Sequence, residues 1–168
     1  MTSSNEDLLH SLIQATLRAG ADAADARVSE SASLSVEARN GELENVEREE
    51  SRGLSLRALV GRRQAHVSGT DLSPDALKAM SDRVVAMARL APEDKWCGLP
   101  DASEVTSARP DLQLDCDDTP EAPELERRAI AMESAMLALT GVKQSSHSGA
   151  SCNTGRSWLA ASNGFVSK

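Results

Sequence analysis

The fold is decided by a stretch that reads Arg27-Val-Ser-Glu-Ser-Ala-Ser-Leu-Ser-Val-Glu-Ala-Arg39 and is followed directly by Asn40-Gly41. The hydrophobic side chains from Val28 to Ala38 share one parity, and the other parity is entirely polar. Because successive side chains of a strand point to opposite faces, this pattern predicts a half-buried β-strand. Asn-Gly readily adopts the two positive φ angles of a type I′ turn, so the strand is predicted to turn back on itself.

A second alternating run contains Leu54, Leu56, Ala58 and Val60 and ends at Gly61-Arg62-Arg63, after which alternation resumes. Together with the first strand it predicts an antiparallel meander with one face in the core and one in water.

The run from Glu42 to Arg52 is acidic, with only Leu43 and Val46 as apolar anchors. It predicts either an exposed edge strand or a long hairpin arm. Charge of this density discourages unwanted strand pairing, and a functional alternative is recognition of a basic partner.

Three amphipathic helices are predicted around these strands. The first begins after a Ser4/Asp7 capping box and closes at Gly20, and the second begins at Ser73-Pro74-Asp75 and ends at Pro92. The third has a stripe of Leu125, Ala129, Met132, Met136 and Leu139, and a final hairpin is predicted with its turn at Asn153-Thr154-Gly155. This order predicts an α+β fold, a mostly antiparallel sheet with amphipathic helices packed on one face.

The length of 168 residues fits a single domain over residues 1–168, with a long irregular loop at 93–123. The loop contains Asp115, Asp117 and Asp118. These carboxylates are either a cation site or solvated charge ahead of a helix, and they lack the spacing and the glycine of a calcium loop.

Composition and charge limit the classes of partner and the cellular compartment that we expect. The chain has no Tyr, one Phe, two Trp and a formal net charge of −8, which argues against direct nucleic-acid binding. The acidic N-terminus has neither a signal-peptide pattern nor a membrane span, and Cys97, Cys116 and Cys152 lack any Cys-x-x-Cys spacing. We expect a soluble, cytoplasmic protein with reduced thiols and no membrane partner.

No catalytic or metal-binding residue is predicted from the residues themselves. His10, His66 and His147 are scattered, and the chain has no zinc-binding helix motif, nucleophile elbow, Walker loop or Rossmann fingerprint. Cys152 and His147 are five residues apart, so on a strand they would point to opposite faces and would not form a thiolate pair.

Four segments resemble the PmbA/TldD family, in the order of that family. They are Leu34-Ser-Val-Glu-Ala-Arg-Asn-Gly-Glu-Leu-Glu-Asn-Val-Glu47, Arg52-Gly-Leu-Ser-Leu-Arg-Ala-Leu-Val-Gly-Arg-Arg-Gln-Ala65, Thr70-Asp-Leu-Ser-Pro-Asp-Ala-Leu77 and Ala161-Ser-Asn-Gly-Phe165. The sequence of these segments is more similar to PmbA (TldE) than to TldD.

The resemblance implies a subunit of a cytosolic metalloprotease in which a TldD chain pairs with a PmbA chain. In TldD the metal ligands lie on a His-rich helix, with a cysteine, downstream of the N-terminal domain. The resemblance therefore implies an N-terminal domain, truncated before the C-terminal domain, with no cofactor of its own and zinc only on a TldD-like partner. We expect it to be inactive alone and dimeric in its full-length form.

Two functions follow as hypotheses. The first is a non-catalytic domain that helps to form the cleft for unfolded peptides and the interface with a TldD-like subunit, with Ser33 and Ser35 as peptide-binding candidates because their polar parity suits a wet cleft wall. An ordinary solvated sheet face is the alternative for these serines. The second function is a non-proteolytic binding protein that modulates DNA gyrase or a toxin–antitoxin system, in which glutamates of the acidic run imitate nucleic-acid phosphates.

Overall fold

The computed structural model of the protein describes residues 4–106, 108, 111–114 and 119–168. Its elements are α1 (Asn5–Arg18), β1 (Ala23–Arg39), β2 (Glu42–Val60), β3 (Arg63–Gly69), α2 (Pro74–Leu90), a short 3₁₀ helix (Ala102–Glu104), α3 (Ala122–Leu137), β4 (Ser148–Ala161) and β5 (Val166–Ser167). The strands form a five-stranded antiparallel sheet in the order β3-β2-β1-β4-β5. The predicted α+β fold is confirmed.

The chain consists of two compact units. The first comprises Met1–Glu30, Arg52–Pro110 and Arg156–Lys168, and the second comprises Ser31–Ser51 and Asp111–Gly155.

The core of the first unit joins α1 and α2 to one face of the strands. The hydroxyl oxygens of Thr16 on α1 and Ser81 on α2 lie 3.2 Å apart in a buried contact between the helices. The strand residues in this core are all even-numbered, as their alternation predicted. The buried cluster is Leu9, Leu12, Ile13, Ala21, Ala24, Ala26, Val28, Leu54, Leu56, Ala58, Met80, Val84, Val85 and Ala160.

The residue that follows β4 bonds to the start of β1 within the same unit. The backbone N–H of Ser162 donates to the carbonyl oxygen of Ala24 at 2.8 Å, and the N–H of Ala24 donates to the hydroxyl of Ser162 at 3.1 Å. These residues are 138 positions apart in the chain. The contact therefore joins the beginning of the sheet to nearly the last part of the sequence.

The predicted helix starts are confirmed. Ser4 and Asp7 form a reciprocal capping box, in which each side chain accepts the other residue's backbone N–H at 3.2 Å. The hydroxyl of Ser73 accepts the N–H of Ala76 at the start of α2. Ser73 also donates its N–H and hydroxyl to the carboxylate of Asp71, which lowers the pKa of that group.

The β1–β2 turn has the predicted backbone conformation, with φ angles of 56° at Asn40 and 76° at Gly41. The acidic run and the second alternating run are one continuous strand of 19 residues, β2. Because its acidic half keeps both faces exposed, the alternation of core residues begins only at Leu54.

A final hairpin is present, but its predicted turn position is wrong. Asn153, Thr154 and Gly155 lie inside the continuous strand β4, where Gly155 is exposed and does not have a positive φ. A glycine can extend in a strand as readily as it can turn, so composition alone misled the prediction. The turn comes later, at Gly164 (φ 93°), and leads into β5.

The predicted loop at 93–123 includes the 3₁₀ helix, and α3 begins near its end. The candidate cation ligands Asp115, Asp117 and Asp118, and also Cys116, lie outside the described residues.

In the second unit, α3 buries a different face from the predicted one. Leu125 and Ala129 are buried as expected, but Met132 is 46% exposed and Leu139 is 62% exposed. The third buried position is Glu133, which is 1% exposed. A carboxylate can occupy that position because the backbone amides of the β1–β2 turn satisfy it: Asn40 N donates at 3.1 Å and Gly41 N at 2.8 Å.

We expect Glu133→Gln to destabilise the protein by about 1–3 kcal/mol, because a neutral amide accepts weaker bonds from the turn and directs its own N–H₂ towards a donor. The matched control is Glu126→Gln on the same helix, which should change the unfolding free energy by no more than about 0.5 kcal/mol. Urea unfolding of both variants measures the difference. Equal stability of the two variants would show that the turn does not depend on the carboxylate.

Gly20 ends α1 with a φ of 105°, and an added Cβ there would overlap the guanidinium of Arg89. The same guanidinium donates to the carbonyl oxygen of Ala19. We expect Gly20→Ala to cost at least about 1–2 kcal/mol from the left-handed conformation alone. Gly98→Ala, where an added Cβ meets nothing within 4 Å, is the control in thermal unfolding. A Gly20→Ala protein as stable as that control would contradict the expectation.

Candidate functional site

The acidic half of β2 forms an open sheet edge. All seven residues of β3 pair with the segment from Leu54 to Val60, in a register that runs from Leu54↔Gly69 to Val60↔Arg63. Residues 42–53 extend beyond β3, and in the described part of the chain no strand pairs with them on the side away from β1. Residues 42–51 belong to the second unit, and every one of them is exposed. We call residues 42–51 the open edge.

The open edge carries unbalanced negative charge. Two of its glutamates are in ion pairs: Glu44 lies 3.5 Å from Arg39, and Glu50 lies 2.6 Å from Arg48. Three further glutamates have no ion-pair partner among the residues that the structure describes. They are Glu42, Glu47 and Glu49.

A cleft of about 460 Å³ lies in the same unit. Its walls come from β1, β2, β4 and the segment that leads into α3. The hydroxyl of Thr154 on β4 donates to the carbonyl oxygen of Ala32 on the adjacent strand β1 at 3.5 Å. The lining residues are Ala32, Ser33, Leu34, Arg48, Thr119, Pro120, Glu121, Ala122, Cys152 and Thr154.

Only one of the two candidate serines lines this cleft. Ser33 does, whereas Ser35 is half-buried and does not. A neighbour on the same parity, Ser31, is engaged elsewhere, because its hydroxyl lies 2.7 Å from that of Ser51 on β2. The polar parity of β1 is therefore divided between the cleft and contacts with the adjacent strand.

Several lining residues were not identified from the sequence. The sequence places Arg48 in the acidic run and Thr119, Pro120 and Glu121 in the long irregular loop. Arg48 lies beside β1 because its strand, β2, is the neighbour of β1 in the sheet. The residues that precede α3 lie near β1 because α3 docks in this unit, where the hydroxyl of Ser148 donates to the carbonyl oxygen of Ala129 at 2.8 Å. No spacing rule in the sequence reports that contact.

Within residues 4–106, 108, 111–114 and 119–168, no three His, Cys, Asp or Glu side chains lie close enough together to hold a metal ion. Cys152 has a free, half-buried thiol in the cleft, and His147 is exposed and is not one of the lining residues. The arrangement offers hydrogen-bonding groups and an open strand edge for binding.

No helix in the described segments is both long enough and apolar enough to span a membrane.

A known domain family matches the central part of the chain. The family described as PmbA/TldA metallopeptidase domain 1 matches residues 24–88, which run from β1 into α2. Over residues 24–88 the chain belongs to the PmbA/TldD family, as its sequence predicted.

Its similarity to individual proteins points to the PmbA side of the family. The chain is 30% identical over 144 residues to the metalloprotease PmbA homolog of Haemophilus influenzae, covering 82% of this chain and 32% of that protein. It is 33% identical over 93 residues to metalloprotease PmbA of Escherichia coli O157:H7, covering 55% of this chain and 21% of that protein. The chain thus spans about a third or less of the length of the curated relatives it matches.

Two solved structures share the fold. TldE from Thermococcus kodakarensis superposes with a TM-score of 0.73 at 14% identity, covering 95% of this chain and 36% of that one. A protein from Bacteroides thetaiotaomicron that is named for modulation of DNA gyrase superposes with a TM-score of 0.71 at 22% identity, covering 99% and 39%.

Hydrogen exchange tests whether the edge is open. We expect the amides of residues 42–51 that face away from β1 to exchange fast, because they have no strand partner. The amides that face β1 and those from Leu54 to Val60 should be protected, because β1 and β3 pair with them. Residue-resolved NMR exchange measures this pattern. Uniform protection along all of β2 would show that the edge is covered.

Proposed function

We propose that the chain is the non-catalytic N-terminal domain of a PmbA/TldE-like subunit of a metalloprotease, where it helps to form the cleft for unfolded peptides and the interface with a TldD-like partner. The observation that carries the proposal is the open edge of β2. An unpaired strand edge is the simplest surface on which an unfolded chain can bind without a defined sequence.

The physical basis is strand addition. An extended segment can pair with the free N–H and C=O groups of residues 42–51, and main-chain bonds give affinity with little sequence preference. At about 3.3 Å per residue, an edge of this length holds roughly ten residues of extended peptide.

The cleft supports the same proposal. Arg48 belongs both to the open edge and to the cleft lining, and Ser33 faces the same space. Side chains of a segment bound along the edge would therefore have a polar recess beside them.

The chemistry is assigned to the partner. On this proposal, zinc is bound by a TldD-like subunit and this chain contributes no ligand to it. The free thiols of Cys97 and Cys152 support a reducing compartment and, with it, a cytoplasmic location.

Association with the partner is tested by native mass spectrometry of the protein, in the longest form its source encodes, mixed with the TldD-like subunit of the same source. We expect a one-to-one assembly that carries a single zinc ion, with none on this chain alone. Failure to associate, or zinc bound by this chain alone, would refute the proposal.

Strand addition is tested with two unstructured peptides of the same sequence, one of which is N-methylated at residues along both of its edges. We expect the methylated peptide to bind at least roughly tenfold more weakly, since each lost main-chain bond contributes about 1 kcal/mol. Fluorescence anisotropy measures both affinities. Equal affinities would exclude strand addition.

The role of the cleft is tested by Ser33→Trp, with Ser35→Trp as the matched control on the same strand and parity. We expect the first variant to weaken peptide binding by the assembled complex and the second to leave it near the wild-type value, because only Ser33 lines the cleft. Unchanged binding by Ser33→Trp would remove the cleft from the proposal.

A second candidate function is binding to DNA gyrase or to a toxin–antitoxin protein without proteolysis. It is favoured by the exposure of the glutamates along the open edge, which could imitate a row of phosphates. Direct gyrase binding by this chain that disappears when those glutamates are neutralised would support it. Absence of gyrase binding would leave the first function.

A further inference from the structure

We propose that the open edge of β2 selects cationic extended segments, so that the peptide bound there carries Lys or Arg at alternate positions. This inference rests on the proposed peptide-binding function and adds the chemical class of the occupant.

The charge along the edge is the first step of the argument. Glu42, Glu47 and Glu49 are exposed and have no ion-pair partner in the described segments of the chain, whereas Glu44 pairs with Arg39 and Glu50 pairs with Arg48. The edge therefore presents uncompensated carboxylates beside its free main-chain groups. An incoming strand with positive side chains would neutralise them.

The spacing of the charges is the second step. Glu47 and Glu49 are two residues apart on one strand, so their side chains share a face about 7 Å apart. A strand added to the edge would present its own alternate side chains at the same repeat, each about 5 Å from a residue of β2. Lys or Arg at every second position would thus meet both carboxylates with one register.

The same charges exclude other occupants. A second copy of this chain, paired edge to edge, would bring its own glutamates against these, and like charges on neighbouring strands oppose pairing. A nucleic-acid backbone would be repelled in the same way. A cationic segment is the extended partner whose charge complements the edge.

The experiment uses three unstructured peptides of about ten residues, the length that the edge accommodates, in which Thr alternates with Lys, Ser or Glu. Their affinity for the protein is measured by fluorescence anisotropy at low and at high salt. We expect the Lys peptide to bind at least tenfold more tightly than the Ser peptide at low salt, the Glu peptide to bind most weakly, and the difference to shrink at high salt.

The variant Glu47→Gln/Glu49→Gln assigns the effect to the edge. We expect it to bring the affinity for the Lys peptide down towards that for the Ser peptide. The matched control is Asp75→Asn/Glu126→Gln, which changes the net charge by the same amount at positions outside the edge, and it should preserve the preference.

Three outcomes would overturn the inference, and they can be told apart. Equal, salt-independent binding of all three peptides would overturn the charge selection and leave the peptide-binding function standing. Binding of no peptide would overturn the peptide-binding function and, with it, the inference. A preference for the Lys peptide that survives in Glu47→Gln/Glu49→Gln would also overturn the inference, because the selecting charges would then lie elsewhere.

Discussion

Neighbouring strands of a sheet can form hydrogen bonds only along the length over which they lie side by side. In this protein β2 and β3 lie side by side over a short length. β2 has 19 residues and β3 has seven, so more than half of β2 has no neighbour on one side among the described elements. The unpaired main-chain N–H and C=O groups of this part of β2 must form hydrogen bonds with water or with another chain. The acidic side chains of the same segment keep it soluble and limit the partners that can complete it.

The fold was largely predictable, because local signals agree with one another in most of the chain. Parity on β1, the Asn40-Gly41 turn and the serine caps each depend on neighbours close in sequence, and the structure confirms them. The failures arise where distant contacts decide. Gly155 extends because it lies within a paired strand, and Glu133 is buried because a turn remote in sequence offers two amides.

The candidate site was predictable only in part for the same reason. Ser33 was identified from the polar parity of its strand, and the structure places it in the cleft lining, while Ser35 on the same parity lies outside it. The residues that precede α3 could not be connected with the cleft, because the helix docks through the contact between Ser148 and Ala129. Periodicity predicts which face of a strand a residue lies on, but it does not predict which other element packs against that face.

The bond between Ala24 and Ser162 has a consequence for how the protein is made. A ribosome delivers α1, β1, β2, β3 and α2 in sequence, and these elements have neighbours close along the chain. β4 emerges much later, and a contact across 138 positions closes a large loop at an entropic cost. During synthesis the second edge of β1 therefore stays unpaired until β4 emerges, and the nascent chain exposes it in addition to the open edge of β2.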